Sequence, residues 1–414
     1  MCNNDEESQQ VTGSTATVGK TPSILRDPAF LRLWVGTTAS GLATWAFPFI
    51  LGLAVLDRTL TPAGLGLVLA TRTVGFLVAV PVGGLLSDRY SRRGVVFWAG
   101  LAAAIGSPVV ALGLGRSALL MAVAAAVVGA GQGACRPAFQ ALTAEVVDGE
   151  RRQQANAALS LATRVIVLVA PALTALVATV VGTPWLLVGM GVIWLIAALV
   201  PPSGSAEVAR PERIGLVAEF VEGVREARRH PWFLAGLGAL TAVIATGYSA
   251  TGVALPLISR DRYGTQVVLA AALTAYTAGA LVGALVIARW RPRAQGWAAL
   301  ASLACYGFAP LALLLPVHPA VVVGAYVLAG LGIELFNVPW FTATQREVEP
   351  SKLARVSSLD FLLSYGLAPV GLALIAPAMS AFGIGAVLGF CAVVCFLAPG
   401  LAALVPSSRD FSRR

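Results

Sequence analysis

The 414-residue sequence predicts an all-helical membrane protein with twelve transmembrane helices in two six-helix halves. Three observations carry that prediction. The composition is 57% hydrophobic and only 12% charged, with a mean hydropathy of +0.80, whereas soluble domains carry about 25% charged residues. Twelve apolar runs approach the ~20 residues needed to cross a bilayer. Three segments of the first half recur in the second at a nearly constant offset, the mark of an internal repeat. Nothing reads as a sheet.

The runs are 33–56, 63–86, 94–115, 117–134, 156–181, 184–200, 232–258, 265–288, 296–315, 320–340, 361–379 and 382–405. They divide the chain into a disordered cytoplasmic tail (1–28), an N-terminal half (29–202), a cytoplasmic linker with an amphipathic helix (203–231), a C-terminal half (232–405) and a cytoplasmic tail (406–414). The first twenty residues are polar and rich in Ser, Thr and Gly, which suits disorder. They lack the basic start and apolar core of a cleaved signal. The stretch Gly13-Ser-Thr-Ala-Thr-Val-Gly19-Lys20-Thr21 misses the phosphate-binding loop by one residue and follows no strand, so an ATP-driven pump is rejected.

Span 1 holds Thr37, Thr38, Ser40, Thr44 and Trp45 in an otherwise apolar helix, and span 2 holds Arg72 near mid-depth. The turn after span 2 reads Gly83-Gly84-Leu85-Leu86-Ser87-Asp88-Arg89-Tyr90-Ser91-Arg92-Arg93. Small Gly83 and Gly84 let a neighbouring helix come close. Asp88 can then meet a helix start, with the arginines as local partners. Span 4 contains Gly129-Ala-Gly-Gln132-Gly-Ala, which allows close packing at a cost in helix propensity. Span 5 carries Arg164 and Pro171. In the linker, Ile214, Val217, Val221 and Val224 recur at helical spacing among Glu219, Glu222, Arg225, Arg228 and Arg229. That pattern fits an amphipathic helix on a membrane surface and equally a plain linker helix.

The second half repeats the first. Arg26-x-Pro28-x-Phe30-Leu31 returns as Arg229-x-Pro231-x-Phe233-Leu234, Val82-Gly83-x-Leu85 with Arg89 as Val282-Gly283-x-Leu285 with Arg289, and Pro137-x-Phe139-x-Ala141 as Pro339-x-Phe341-x-Ala343. The offsets are 203, 200 and 202 residues.

The net charge of +9 is a topology signal, with no nucleic acid implied. Arg58, Arg116, Arg260 and Arg262 fall in external loops and Arg72 and Arg164 in spans. The other 23 of 29 Lys and Arg are cytoplasmic if both termini are, which is the positive-inside bias. Cys2, Cys135, Cys305, Cys391 and Cys395 show no metal spacing beyond a C-x3-C in the last span, best read as small apolar residues. No metal or cofactor is implied.

The order G-x-L-x-D-R-x-x-R-R around Asp88 resembles the signature loop of the major facilitator superfamily of secondary transporters. The resemblance covers 26–405 and implies the two-half fold, alternating access and the proton gradient as energy source. It casts Gly84, Asp88, Arg89, Arg92 and Arg93, with Arg136 at the end of span 4, as a conformational gate. The segments Arg26–Trp34, Arg136–Leu142, Glu222–Leu234 and Phe336–Trp340 look like the bacterial branch of macrolide and siderophore exporters. Three departures stand out. Thr44 replaces an acid common in span 1, the antiporter signature of span 5 is reduced to Ala170-Pro171 and Thr174-Ala175, and Ala288 stands where the repeat would place a second Asp88.

Ionisable groups inside spans are expensive and are usually paired or functional. Glu334 is the only acid deep in a span, with Asp360 near the cytoplasmic start of span 11 and Asp57 at the outer end of span 1. Arg164 lies at the depth of Glu334, so the two can pair either as a proton-coupled switch, with Asp360 next in line, or as a permanent structural bond. Arg72, Thr44, Trp45, Gln132 and Asn337 are candidates for the substrate cavity; Arg72 could hold an anionic group or helix carbonyls. The expected activity is proton-driven export of a small hydrophobic or amphipathic compound such as an antibiotic, drug or siderophore. The expected setting is the bacterial inner membrane, with the protein a monomer in the lipid bilayer. The alternative is a proton-coupled importer of a small metabolite, which should show more hydrogen-bonding residues in spans 1, 4, 7 and 10. An enzyme would need clustered acids or His at an interface, and the sequence has none.

Overall fold

The computed structural model describes residues 23–204, 216–265, 267–366 and 368–412. The rejected phosphate-loop stretch and the first turn of the expected linker helix lie outside them. Capping side chains in tight turns start the helices, so little chain separates one from the next. Asp27 accepts from the amides of Ala29 and Phe30 ahead of α1 (Pro28–Leu56), whose first residue is proline. Thr61 does the same for α2 (Pro62–Arg89), Ser91 for α3 (Arg92–Gly113) and Ser117 for α4 (Ala118–Val146). Then follow α5 (Arg152–Ala178), α6 (Thr183–Leu199) and α7 (Leu216–Arg228). The second half contains α8 (Pro231–Asp261, with a π-helical turn at Val243–Tyr248), α9 (Val267–Ile287), α10 (Gln295–Leu314), α11 (Pro319–Glu347), α12 (Leu353–Gly366), α13 (Ala368–Phe382) and α14 (Ile384–Ala403).

No strand occurs among the described residues. Among the described residues ten helices are long and apolar enough to cross a membrane, and Thr183–Leu199 and Val370–Phe382 are apolar but shorter. The sixth expected run is α6, and the eleventh is shared by α12 and α13. Several helices outrun their apolar stretches: α4 continues past Arg136 to Val146, α11 past Trp340 to Glu347, and α5 begins at Arg152. Apolarity stops where lipid stops, but a helix stops at its cap. These extensions hold most of the polar contacts described below.

Buried apolar residues gather in two main cores. One is drawn from residues 33–197 and the other from 227–411, with Ala141 of α4 reaching into the latter. Within each half the same glycine device recurs. A side chain on Gly129 of α4 would strike the Arg72 carbonyl of α2, and one on Gly330 of α11 the Tyr276 carbonyl of α9. Backbones in contact are a common way for membrane helices to gain packing energy without a hydrophobic drive. The second core is anchored by an aromatic cluster, in which Phe233 stacks on Trp340 at 5.0 Å and Phe336 on Trp340 at 5.4 Å.

Both described ends of the chain are tied down on the same side as Asp88. Although 1–28 reads as a disordered tail, Ile24–Arg26 forms a 3₁₀ turn with Ile24 buried against Phe30, Val147 and Ala155. Asp27 also meets Arg151 at 3.3 Å. At the other end Phe411 is buried on Trp232, and Arg346 donates to the Asp410 and Phe411 carbonyls.

Candidate functional site

Asp88, at the last turn of α2, reaches across to the other half. Its two carboxylate oxygens accept from the amides of Ala354 (3.1 Å) and Arg355 (2.9 Å), at the start of α12. An acid there satisfies orphan donors and meets the positive end of the helix dipole. Gly84, one turn earlier, makes the approach possible, because any side chain would collide with the Ala354 carbonyl and Ser358. Arg92 is buried and also crosses, donating to the Pro350 carbonyl while pairing with Glu145 at 3.4 Å. Arg93 stays within its own half, on the Leu199 carbonyl, and Arg89 lies over the Tyr90 ring.

The linker helix α7 braces this latch. Arg355 lies 3.6 Å from Asp88 and 3.0 Å from Glu222, and Lys352 meets Glu349, Glu226 and Glu222 at 3.0, 3.4 and 3.7 Å. Burial works against the charge on Lys352, yet Glu349 and Glu226 outweigh it and push its pKa up; the Ser351 hydroxyl and Lys352 hold Glu349 below the usual range. The described part of the linker helix therefore lies against protein through its acids.

The repeat-related junction uses opposite chemistry. Where the acid is lost at Ala288, Gln153 of α5 donates to the carbonyls of Ile287 (2.6 Å) and Trp290 (3.0 Å) at the end of α9. A helix start takes a carboxylate; a helix end takes a donor. Between these junctions Asn156 of α5 donates to Thr342 and Gln345 of α11, both at 2.9 Å, and Gln345 donates to Gln140 of α4 at 2.8 Å. The sequence reading missed Gln140, Gln153, Asn156 and Gln345. The 202-residue offset offered a signal, since it pairs Gln140 with Thr342 and Thr143 with Gln345.

Deeper still, Arg164 of α5 and Glu334 of α11 are brought together. Both Nε and Nη2 of Arg164 engage Oε1 of Glu334. Glu334 is 1% exposed, and its Oε2 is buried without a hydrogen-bond partner. The pair borders a cavity of about 170 Å³ between the halves. Thr37, Ser40 and Thr44 of α1 line one wall and Asn156, Ser160 and Thr163 of α5 another; both sets follow the spacing of one helical face. Opposite them stand Glu334, Asn337 and Phe341 of α11, with Phe361 of α12.

The remaining candidates divide. Thr44, Trp45 and Asn337 line the cavity, but Arg72 and Gln132 do not. Arg72 donates to Gln132 (2.6 Å) and to the Thr44 carbonyl (3.1 Å) and sits over Phe47, a helix-bracing role inside the first half. Arg136 lines the cavity, its guanidinium 5.9 Å from the Phe76 ring and 5.8 Å from Phe361. It lies at mid-helix because α4 runs on, and Glu145 serves Arg92. Asp360 is outside the cavity lining and accepts from the Trp340 indole (3.1 Å) and Ser364 (3.0 Å). Among the described residues no three His, Cys, Asp or Glu converge as metal ligands.

The sequence model of the Major Facilitator Superfamily matches residues 33–369. No curated protein sequence matches the chain. Among solved structures, the human organic anion transporter MFSD10 (TETRAN) is 16% identical with a TM-score of 0.74, over 92% of this chain and 100% of that one. A bacterial homologue of the iron transporter ferroportin, in an outward-facing state, is 16% identical with a TM-score of 0.73, over 93% and 100%. The E. coli fucose:proton symporter FucP is 14% identical with a TM-score of 0.68, over 92% and 99%. At such identities the likeness is one of fold.

Proposed function

The chain belongs to the Major Facilitator Superfamily, and from that premise we propose that it is a proton-driven exporter working by alternating access. It is a multi-pass membrane transporter of small molecules, a class that needs no cofactor. The proposed architecture is twelve spans in two six-helix halves, α6 and the α12–α13 segment completing the ten long helices. The basic-residue bias supports a cytoplasmic position for both termini, and hence for the Asp88 latch, and the resemblance to bacterial exporters supports a bacterial membrane. The state described is then closed to the cytoplasm. The resemblance to the macrolide and siderophore branch supports export of a small amphipathic or hydrophobic compound.

One observation carries the coupling. Arg164 and Glu334 come from opposite halves and meet beside the cavity, so parting the halves must part the pair. Opening would free the Glu334 carboxylate from its counter-charge and closing would restore it, which supports Glu334 as the coupling acid. The hydroxyl-lined cavity favours a second reading, proton-coupled import of a small metabolite. Accumulation of labelled antibiotics and metabolites, in cells with and without the protein and with a protonophore control, tests both. Export predicts lower accumulation that the protonophore restores; import predicts higher accumulation that it abolishes. No protonophore effect in either direction overturns proton coupling.

A further inference from the structure

We propose that the cavity is built for a small, uncharged, polyhydroxylated ring compound, a sugar or cyclitol. This rests on the transport reading; it agrees with the import alternative and replaces the hydrophobic or amphipathic class as the cargo. Volume is the first argument. About 170 Å³ lies between the halves, short of the ~300–1,000 Å³ of pockets for drug-sized ligands.

Hydrogen-bond chemistry is the second. Thr37 and Thr163 spend their protons on the Leu33 and Leu159 carbonyls, so their hydroxyls offer lone pairs to the cavity. Glu334 stands on the opposite wall, although its Oε2, which has no hydrogen-bond partner, is itself buried. A wall rich in acceptors asks for a compound rich in donors. Ser40 and Ser160 can rotate to donate or accept, and the amide of Asn337 can do both. Such a mixture matches a compound whose every hydroxyl does both.

Charge is the third. The only acid among the described lining residues, Glu334, is already balanced by Arg164, and Arg136 adds a further cation. An organic cation would enter a net positive field. An anion would be drawn by the same field, but Thr37 and Thr163 have no proton left to give it, and the benzoate probe tests that case. Finally, Phe341 and Phe361 on the C-terminal wall supply an apolar platform for the C–H face of a ring, opposite the hydroxyls of α1 and α5.

The test is equilibrium exchange in proteoliposomes of purified full-length protein. The labelled probes are D-glucose, D-galactose and myo-inositol, with benzoate and tetraphenylphosphonium as the charged alternatives. Saturable exchange of at least one of the first three is expected. Ser40→Ala and Ser160→Ala each remove one oxygen and should raise its half-saturation concentration about tenfold, the equivalent of one hydrogen bond. Unchanged half-saturation in both variants, each verified by an unaltered melting temperature, overturns the site. Saturable exchange of benzoate or tetraphenylphosphonium alone overturns the substrate class and leaves the transport reading standing. Exchange of none of the five overturns the proposal and counts against the transport reading as well.

Discussion

The Arg164–Glu334 pair is asymmetric, and that asymmetry sets what its variants should do. The Arg164 side chain retains 19% exposure and the Glu334 side chain 1%, so an orphaned arginine can reach water and an orphaned glutamate cannot. Arg164→Ala should therefore destabilise the protein by about 3–5 kcal/mol, the cost of leaving a buried charge unpaired. Glu334→Gln should cost much less, and Arg164→Ala combined with Glu334→Gln should recover most of the stability. Melting temperatures of the purified variants check this. Equal losses in the two single variants would mean that the pair is not buried unequally. In vesicles with an imposed pH gradient, Glu334→Gln should abolish proton-linked transport; normal proton movement with substrate would place the coupling acid elsewhere. Asp88→Asn keeps one acceptor for the α12 amides and loses the charge. At about 1.5–3 kcal/mol for a hydrogen bond to a charged group, the closed state should lose at least about tenfold in population. A cysteine at Ser160, on the cavity wall, should then react correspondingly faster with an impermeant thiol reagent added from the Asp88 side.

Among the elements, α7 and α12 make the clearest case for parts that act through position. The acids of α7 grip Lys352 and Arg355 in the very turn that Asp88 caps, so on the proposed gating the linker would help hold the latch shut. Glu222→Ala should open the latch in the same sense as Asp88→Asn. The effect should be smaller, because Glu222 is a third exposed and water screens its pairs, which are worth about 1 kcal/mol at most. The same Ser160 cysteine assay reports it; a slower reaction than in the parent would make α7 a wedge instead of a brace. The order of α2, α4, α5 and α11 along the chain was legible from their apolar runs. Their true ends were not, since Arg136 and Trp340 look like boundaries only if charge or bulk is taken to end a helix.

For the whole molecule, orientation is the property most directly checked. A cysteine at Arg116, exposed at the end remote from the termini, should react with an impermeant thiol reagent in intact cells. One at Asp148, exposed on the Asp88 side, should react only after permeabilisation. Both positions are open to solvent, unlike Arg92, whose burial would mask either answer. The reverse pattern would invert the topology and, with it, the direction assigned to the latch.

Class, repeat and the existence of a crossing latch were readable along the chain because each rests on local chemistry. Apolar length selects for lipid, a fixed offset reveals duplication, and glycine, aspartate and arginine at set spacing need only one turn of helix to declare themselves. The depth match of Arg164 and Glu334 was legible for the same reason, since helical rise converts sequence distance into height. Tertiary structure decided the rest. Span composition suggested a greasy passage, yet one face each of α1 and α5 gathers the hydroxyls into a polar wall. An average over a helix cannot show this, because only the direction of each side chain decides what the cavity meets. In the same way Arg72, Arg136 and Asp360 are equal in the sequence as charges in or near spans. Which one faces the cavity, and which ones brace helices or hold an indole, depends on the rotation of each helix against partners hundreds of residues away.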